Sequence, residues 1–475
     1  MGAEKTIVAI ELGSSSIRAI IGQKKSDGSL QVLGYEKESA PDSIHKGIVY
    51  NIDKTIQAIT AIIKRIEQRQ KVYVKRVYVG VSGQSLHTVS NSVRREFDVK
   101  VTITDDIIDS LMDENRARIY PNAEILDVLP QDYRFGTAHP STEPVGVMAD
   151  RIEAYYKNVV ARKVLREGIQ RCLASAKLEV ADFFISPLLL AGYLLTDTEK
   201  RSGCALIDFG AETTTVAIYY QNVLRHLTVI PLGGNNLTND IAASLHIEHE
   251  EAETLKRSYG SAYTDEVAFQ SPQQINISNE RTVSEKTLLN IIEARQQEIL
   301  DNVWEQIKDY QDRLLSGIVF TGGAANIRNL ETAFTQYHHF DKVKTRLMPS
   351  APEYTTNLKL DPQANTLATL VAMLRRGDQE CTSEQPAEPE LFESVENESE
   401  TTTTQPTSQT PPTAGEGIIR NPIEEQAAQR SDAEKQDQTA EPEKPAEPEK
   451  PKGPNAFQRF SKKLSIWAGK LVEDN

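Results

Sequence analysis

The sequence predicts an α/β protein made of two related lobes, followed by a long tail with no core of its own. One pattern occurs twice: an apolar strand ends in a carboxylate, a glycine and a hydroxyl-rich turn follow, and a second apolar strand resumes. The two copies are ELGSSS at residues 11–16 and DFGAETT at residues 208–214. A third apolar strand ends in TGGAANI at residues 321–327, before a stretch of helical spacing. The repeat indicates a duplicated domain with pseudo-twofold symmetry.

The elements around these turns follow from their hydrophobic spacing. Strands are predicted in TIVAIELG, SSSIRAIIGQ, SLQVLGYEKES and VKRVYVGVSG, and isoleucines at helical spacing predict a helix over residues 53–70 with Asp53 as its N-cap. The sequence pattern changes over residues 86–158. Here VKVTIT and EILDVLPQDYRF are predicted to be short strands around a helix near residues 105–120. This is typical of a small α+β insertion. A helix over residues 161–178 and a buried strand, EVADFFIS, follow it.

Charge and proline separate the tail from the body. Residues 380–455 contain 18 acidic and 6 basic residues, a net charge of −12 out of −15 for the 475-residue chain, and they hold 11 of its 22 prolines. Such a segment buries too little apolar surface to offset its ordering entropy, so it is predicted to be disordered. The body is close to neutral, which gives no electrostatic reason to expect nucleic-acid binding.

The cysteine content and the hydropathy of the chain predict the cellular compartment of the protein. The three cysteines, Cys172, Cys204 and Cys381, have no metal-type spacing and are too few for a disulfide framework, which fits a reducing cytoplasm. The longest apolar run, residues 185–195, is about half of what a spanning helix needs. Neither a transmembrane segment nor a secretory signal is therefore expected.

The two carboxylate turns carry the predicted chemistry. A tight turn between strands directs backbone N–H groups and hydroxyls into one small space, which suits a phosphate chain. Glu11 and Asp208 would flank a Mg²⁺ ion, in part through water, and Gly322 and Gly323 would let the backbone approach a base or α-phosphate. Taken singly, each turn is also typical of an ordinary hairpin or strand-to-helix connection, so the prediction depends on their ordered occurrence.

At these motifs the chain resembles the actin-like ATPase superfamily, and within it the FtsA family of bacterial cell-division proteins. VAIELGSSS resembles the first phosphate motif, ALIDFGAETTTVAIY the second, and IVFTGGAANIRNL the adenosine motif; the similarity covers residues 5–376. VLPQDYRF, PVGVMADRIEA, LRHLTVIPLGGNNLTNDIA and EAETLKRSYGSA are similar to stretches characteristic of FtsA. The resemblance implies an actin-like (ribonuclease-H-like, duplicated) two-lobed fold that binds ATP and Mg²⁺.

The resemblance also implies subdomain boundaries. The expected units are lobe 1 (subdomain 1A) at residues 1–85 and 161–203, the FtsA-type insertion (1C) at 86–160, lobe 2 (2A) at 204–235 and 300–379, subdomain 2B at 236–299, a disordered acidic linker at 380–454 and an amphipathic membrane-targeting helix at 455–475.

Nucleotide-binding residues are expected in the three turns and at Gly233–Gly234, after the third strand of the second copy. By the resemblance, Glu253 and Lys256 on the EAETLK helix would reach the ribose and base. An exposed helical face with ordinary charge pairs is the alternative for those two. The expected set is Gly13, Ser14, Ser15, Ser16, Asp208, Gly210, Thr213, Thr214, Gly233, Gly234, Glu253, Lys256, Gly322 and Gly323, with Glu11 and Asp208 at the metal.

Two departures from the superfamily pattern bear on catalysis. Glu11 stands where Asp is usual, and Ala211 and Glu212 replace two glycines of the second motif. Glu212 places a negative charge near the expected β- and γ-phosphates, and no residue is recognised that would orient an attacking water. Nucleotide binding with slow or absent hydrolysis is therefore expected.

The implied function is that of a polymerising adaptor for the division ring. FtsA-like proteins bind the C-terminal tail of the tubulin-like FtsZ, form actin-like filaments and recruit later divisome proteins at the cytoplasmic face of the inner membrane. The alternatives are a sugar or acetate kinase, for which no catalytic acid is found, a heat-shock-type chaperone, which needs a C-terminal β-rich domain, and a PilM-like pilus protein, against which the tail argues.

The last residues predict a membrane-binding helix. On a helical wheel the apolar residues from Phe457 to Val472 fall within about 140° of arc, Ile466 excepted, and basic residues lie opposite. This is typical of a helix lying on anionic lipid, while a core helix or a partner-docking helix is the alternative. The expected membrane-binding residues are Phe457, Phe460, Lys462, Lys463, Leu464, Trp467, Lys470 and Leu471.

Overall fold

Apolar strands at the N-terminus build the sheet of the first lobe. The structure, a computed structural model, describes residues 4–40, 42–136, 140–265, 273–278, 281–349, 354–358 and 367–384. The elements up to residue 81 are β1 (Lys5–Leu12), β2 (Ser16–Lys24), β3 (Leu30–Ser39), β4 (Ile44–His45), β5 (Ile48–Val49), α1 (Ile52–Gln70), β6 (Val72–Val74) and β7 (Arg76–Val81).

Helix α1 packs its isoleucine stripe on this sheet. Ile59, Ile62 and Ile66 are buried, as the spacing predicts. The N-cap is Asn51 and not the predicted Asp53, because the Asn51 side chain accepts a hydrogen bond from the Lys54 backbone N–H at 3.0 Å. Asp53 lies inside the first turn, where its charge suits the positive end of the helix dipole.

The inserted segment forms a three-stranded antiparallel unit with one helix. Its elements are β8 (His87–Thr102), α2 (Asp105–Arg116), β9 (Ala123–Arg134) and β10 (Met148–Arg162), and β10 pairs with both β8 and β9. Strand β9 coincides with the predicted EILDVLPQDYRF to within one residue, whereas β8 is much longer than the predicted VKVTIT. Most of β8 is polar and exposed, so its apolar alternation is too weak to mark the whole strand in the sequence.

After the insertion the chain completes the first lobe and enters the second. The connecting elements are α3 (Lys163–Ser175), β11 (Glu179–Ile185), α4 (Ser186–Leu194) and α5 (Asp197–Ser202). The second lobe contains β12 (Cys204–Phe209), β13 (Thr214–Tyr220), β14 (Val223–Ile230), α6 (Gly234–Leu245), α7 (His249–Tyr259), β15 (Gln274–Ser278), β16 (Arg281–Ser284), α8 (Glu285–Ile307), β17 (Ile318–Thr321), α9 (Leu330–His338) and β18 (Val343–Thr345).

Two sheets organise these elements. The first lobe has the strand order β11-β7-β1-β2-β3 with one further strand at its edge, and the second sheet runs β18-β17-β12-β13-β14-β8-β10-β9. The inserted strands therefore continue the sheet of the second lobe, through a single register pair between Thr228 and His87.

The chain then returns to the first lobe. Strand β19 (Tyr354–Thr356) pairs in parallel with β3, helix α10 (Leu367–Arg376) packs on β1, β2 and β7, and β20 (Thr382–Glu384) pairs with β6. The sequence-based boundaries differ here, since they assign residues up to 379 to the second lobe and begin the linker at 380. The apolar face of α10 is buried on the first sheet, which explains the return. The remainder of the predicted linker and the predicted C-terminal helix lie outside the described residues.

One ion-pair cluster joins the connecting helices to the edge of the second sheet. Glu199 closes a capping box with Thr196 at the start of α5, and its carboxylate accepts hydrogen bonds from Lys344 at 2.6 Å and from the Arg346 guanidinium at 2.8 and 2.9 Å. Its side chain is only 11% exposed. The hydrogen bonds from Arg346 and Lys344 hold the pKa of Glu199 well below its usual value, despite burial.

We expect Glu199→Gln to lower the free energy of unfolding by about 2–3 kcal/mol at pH 7, because charge-assisted hydrogen bonds are lost. A lowered pKa stabilises the fold above the unfolded-state pKa of about 4.3, and this contribution is lost as the pH falls below it. The difference between wild type and variant should therefore shrink below about pH 4 in urea denaturation curves. A difference that stays constant from pH 7 to pH 3 would contradict this assignment.

Candidate functional site

Three strand ends meet where the predicted turns lie. Strand β1 ends at Glu11 and Leu12, β12 ends at Asp208 and Phe209, and β17 ends at Thr321, which pairs with Asp208 in the parallel register. Glu11 pairs with Arg18 across the first hairpin. The charge of Glu11 acts on Asp208, and Glu212 of the second turn contacts Lys46 of the first lobe, so the two predicted phosphate turns lie close together where the lobes meet. We call this region the cleft.

Glu11 and Asp208 are close enough to perturb each other. Burial, reinforced by the negative charge of Glu11, raises the pKa of Asp208 to about 6, while Arg18 opposes the shift. Burial also raises the pKa of Glu11, although its carboxylate lies 3.4 Å from the Arg18 guanidinium. Two crowded carboxylates with one arginine favour a bound cation, since a cation would stabilise both ionised forms.

The first turn divides its three serines between different tasks. The Gly13 N–H donates to the Ser16 carbonyl at 3.1 Å and closes the turn. The Ser16 side chain is buried and accepts a hydrogen bond from Arg18 Nε at 3.2 Å, whereas the Ser14 hydroxyl accepts one from the Gly47 N–H at 3.4 Å. Of the three serines, only Ser15 is exposed. Ser14 and Ser15 are thus the hydroxyls of this turn nearest to solvent.

The second turn shows a similar division. The Gly210 N–H donates to the Thr213 carbonyl at 2.8 Å, and Thr213 remains partly exposed. Thr214 is fully buried, and its hydroxyl donates to the Leu232 carbonyl at 2.9 Å. The side chain of Thr214 therefore fixes the turn to the segment between β14 and α6, while Thr213 keeps partial access to solvent.

Glu212 does not point freely at the cleft. Its carboxylate accepts a hydrogen bond from the Lys46 backbone N–H at 2.7 Å and lies 3.4 Å from His45 Nδ1. Both residues belong to the β4–β5 hairpin of the first lobe, His45 at the end of β4 and Lys46 in the turn. Glu212 thereby forms a direct polar contact between the lobes, and this contact takes up part of its negative charge.

Two glycines of the cleft sit where no side chain fits. A Cβ at Gly233 would lie 2.7 Å from the carbonyl oxygens of Gly210 and Ala211. Gly322 has φ +92°, and a Cβ there would lie 2.3 Å from Asp208 Oδ1. Gly323, in contrast, has no atom within 4 Å of the position that a Cβ would take. The neighbours of Gly322 therefore leave no space for a side chain at that position, whereas the space beside Gly323 is open.

Glu253 and Lys256 project from helix α7 to the start of helix α6. Lys256 Nζ donates to the Gly234 carbonyl at 3.0 Å and the Thr238 hydroxyl at 2.8 Å, and it pairs with Glu253 at 2.5 Å. Burial lowers the pKa of Lys256, while Glu253 opposes the shift. The structure thus brings both residues to Gly234, whose N–H in turn donates to the Gly210 carbonyl at 3.0 Å.

Sequence reasoning missed Arg18, Lys46 and Thr238. Arg18 is 9% exposed and stands in an otherwise apolar strand opposite Glu11, so a lone cation in SIRAII is the signal for it. Lys46 takes part through its backbone N–H, which a side-chain pattern does not reveal. Thr238 is fully buried between Glu253 and Lys256.

The cation-binding capacity of the site is limited to its carboxylate pair. Within the described ranges, no cluster of three or more His, Cys, Asp or Glu side chains has the spacing of a metal site. Mg²⁺ needs no such cluster, because it commonly binds through one or two carboxylates, water and substrate phosphates. Glu11 and Asp208 fit that mode and do not fit a structural zinc or calcium site.

None of the described helices is both long enough and apolar enough to cross a bilayer. All of the predicted membrane-binding residues, from Phe457 to Leu471, lie outside the described part of the chain.

Comparison with known proteins identifies matching families. The family model for the cell division protein FtsA matches residues 205–362, and the model for the SHS2 domain inserted in FtsA matches residues 83–160. The FtsA of Neisseria meningitidis serogroup B is 31% identical over 68% of this chain and 79% of its own. The FtsA of Pseudomonas aeruginosa is 29% identical over 70% and 81%.

A solved structure supports the fold. The PilM–PilN type IV pilus biogenesis complex contains a chain with a TM-score of 0.56 to this one, at 14% sequence identity, covering 78% of this chain and 98% of that chain. At that identity the likeness concerns the fold alone. Together with the inserted-domain match, it confirms the predicted actin-like fold with an FtsA-type insertion.

The two adjacent glycines provide a matched pair for testing the site. Gly322→Ala should lower the free energy of unfolding by about 1–3 kcal/mol, because the Cβ would clash with Asp208 and the backbone has a positive φ. Gly323→Ala should change it by no more than about 0.5 kcal/mol. Denaturation of both variants measures the contrast. Equal effects at the two positions would contradict the packing described for Asp208.

Proposed function

The chain belongs to the FtsA family of bacterial cell-division proteins, and from this premise we propose that it is an ATP-binding, polymerising adaptor. In this proposal it binds FtsZ filaments, tethers the Z-ring to the cytoplasmic membrane and recruits later division proteins to the septum. The proposal that the chain binds nucleotide rests on one observation: Glu11, Asp208 and three glycine turns lie together in one cleft.

The cleft offers suitable groups for each part of Mg²⁺-ATP. Glu11 and Asp208 would hold the cation, partly through water, and the turns at Gly13–Ser15 and Gly210–Thr213 would face the phosphates. Gly233, Gly234, Gly322 and Gly323 would border the nucleoside, with Glu253 and Lys256 beside it. Bound Mg²⁺ would neutralise phosphate charge, and Arg18 would balance the charge of Glu11 next to it.

Hydrolysis is proposed to be slow or absent. The Glu212 carboxylate, which belongs to the second turn, accepts a hydrogen bond from the Lys46 N–H. Glu212 therefore links the two lobes. Arg18 is likewise committed to Ser16 and Glu11. Glu212 is therefore not positioned as a general base, and Arg18, whose guanidinium stays protonated, cannot act as one. The proposed role of ATP is accordingly to hold the two lobes together.

Assembly and partner binding are proposed for the inserted subdomain and for the second lobe. The insertion, β8 to β10 with α2, has its own buried core, which includes Ile103, Leu111 and Ile152. A unit with its own core and no phosphate-type turn suits contacts with neighbouring protomers and with later divisome proteins. The FtsZ C-terminal tail is proposed as a further partner, and nucleic acid is not expected.

Membrane attachment is proposed for residues 455–475. Each basic residue near an anionic surface adds about 1 kcal/mol, and each large apolar side chain adds up to about 1.5–3 kcal/mol when fully buried. One helix would bind reversibly, because burial is partial and folding of the helix has a cost. A filament that carries many copies would bind tightly through effective concentration.

Removing the Asp208 carboxylate tests the nucleotide site. We expect Asp208→Ala to weaken Mg²⁺-dependent ATP binding by about tenfold or more, since no neutral side chain replaces a carboxylate beside Mg²⁺. Isothermal titration with ATP, in Mg²⁺ and in EDTA, measures the effect. Asp309→Ala, an exposed position away from the cleft, is the matched control. Unchanged affinity in Asp208→Ala would disprove the site assignment.

Changing the tail tests membrane attachment separately. We expect deletion of residues 455–475, or Trp467→Glu, to abolish co-sedimentation with phosphatidylglycerol vesicles while ATP binding persists, because the apolar face loses its largest side chain. Trp467→Phe keeps an aromatic ring on that face and should still pellet. Pelleting of the truncated protein at the level of the full chain would show that the anchor lies elsewhere.

A further inference from the structure

A recess with a volume of about 450 Å³ lies where the inserted subdomain meets the second lobe. One wall is formed by residues near the start of β8, near the end of β9 and in the middle of β10. The other is formed by the β13–β14 hairpin and by the 3-10 turn Lys308–Arg313 that follows α8. The recess is separate from the cleft around Asp208, since the two share no lining residue.

The lining of the recess has an excess of positive charge. Four cationic side chains border it, Arg134, Lys157, Arg225 and Arg313, against the single carboxylate of Asp132. Asp132 pairs with Arg225 at 3.3 Å. In the described part of the chain, the other three cations have no carboxylate within ion-pair distance. We call these four cations and the walls around them the basic recess.

The other three cations are held by contacts with uncharged groups. The Arg134 guanidinium lies 4.9 Å from the centre of the Tyr155 ring, and that of Arg313 lies 5.8 Å from the Tyr220 ring. Lys157 Nζ donates to the Ser90 hydroxyl at 2.8 Å. Aromatic rings and a hydroxyl position these groups without neutralising them.

The cations also disfavour one another. Burial lowers the pKa of Lys157, and the nearby Arg225 guanidinium lowers it further. A bound anion would remove this penalty and favour the charged form of Lys157. The recess therefore has an electrostatic reason to bind negative charge.

The shape of the charged surface favours an extended ligand. A second recess of about 180 Å³ is lined by Arg94, Arg134, Arg151 and Glu153, and so shares Arg134 with the first. The Glu153 carboxylate raises the pKa of the Tyr155 hydroxyl. Arg94 pairs with Glu96, so the free positive charge of the second recess comes from Arg134 and Arg151. The two recesses together form a basic track that a compact anion would fill only in part, and a flat bilayer surface would not enter a recess.

We propose that the basic recess is a docking site for an acidic peptide segment of a partner protein, with Asp or Glu side chains next to apolar ones. Tyrosine and arginine, which line the recess, are the residues that most often dominate the binding energy of protein interfaces. The carboxylates would reach Arg134, Lys157 and Arg313, and the apolar side chains would pack on Tyr155, Tyr220 and Tyr310.

The test uses a fluorescein-labelled peptide, Asp-Leu-Glu-Glu-Leu-Asp, and its uncharged counterpart, Asn-Leu-Gln-Gln-Leu-Asn, with the full-length protein in fluorescence anisotropy. The acidic peptide should bind, the amide peptide should bind at least about tenfold more weakly, and added salt should weaken binding of the acidic peptide. No saturable binding of the acidic peptide, or equal binding of both peptides, would overturn the proposal.

Paired charge reversals locate the binding. Arg134→Glu with Arg313→Glu should weaken binding of the acidic peptide by about tenfold or more, whereas Lys64→Glu with Arg171→Glu makes the same charge change on exposed helical positions and should not. Lys157→Gln is the milder variant if the double reversal unfolds in thermal melts. Equal loss in both double variants would mean that net charge, and not the recess, governs binding. Complete displacement by inorganic pyrophosphate at equal concentration would instead indicate a phosphate site and contradict the peptide assignment.

Discussion

Two carboxylates held close together in a partly buried cleft constrain the centre of this molecule. Glu11 ends a strand of one lobe and Asp208 a strand of the other, and the charge on each disfavours the charge on its partner. Arg18 offsets one of them, and Gly322 allows the backbone to approach Asp208 without a Cβ. A cation beside the two carboxylates would stabilise both ionised forms, which is the chemical reason this pair favours a positive partner.

The sequence predicts those parts of the site that depend on local pattern. Each carboxylate turn follows an apolar strand, and two such turns reveal the duplication. The pattern cannot tell Thr213, which is partly exposed, from Thr214, which is buried against the Leu232 carbonyl, because that difference depends on packing. It also cannot reveal the Lys46 N–H beside Glu212, since this contact joins residues that are 166 positions apart.

The same reasoning accounts for the differences in the fold. Strand β8 is mostly exposed, so it lacks the apolar alternation that marks a strand in the sequence. The return of β19 and α10 to the first lobe depends on contacts between residues far apart in the chain, such as that between Tyr354 and Leu30. The residues of α10 from Leu367 to Leu374 are all buried, and hydrophobic spacing does not specify which sheet buries such a helix.

The β13–β14 hairpin connects the two regions to which we assign binding. Strand β13 begins at Thr214, beside the second turn of the cleft, and ends at Tyr220, in the wall of the basic recess. At about 3.3 Å per residue, its seven residues span roughly 20 Å. All but the last of them are buried, and both neighbouring strands pair with β13 along its length. A strand held in this way moves as a unit, so the position of Thr214 in the cleft and that of Tyr220 in the recess are fixed by the same packing.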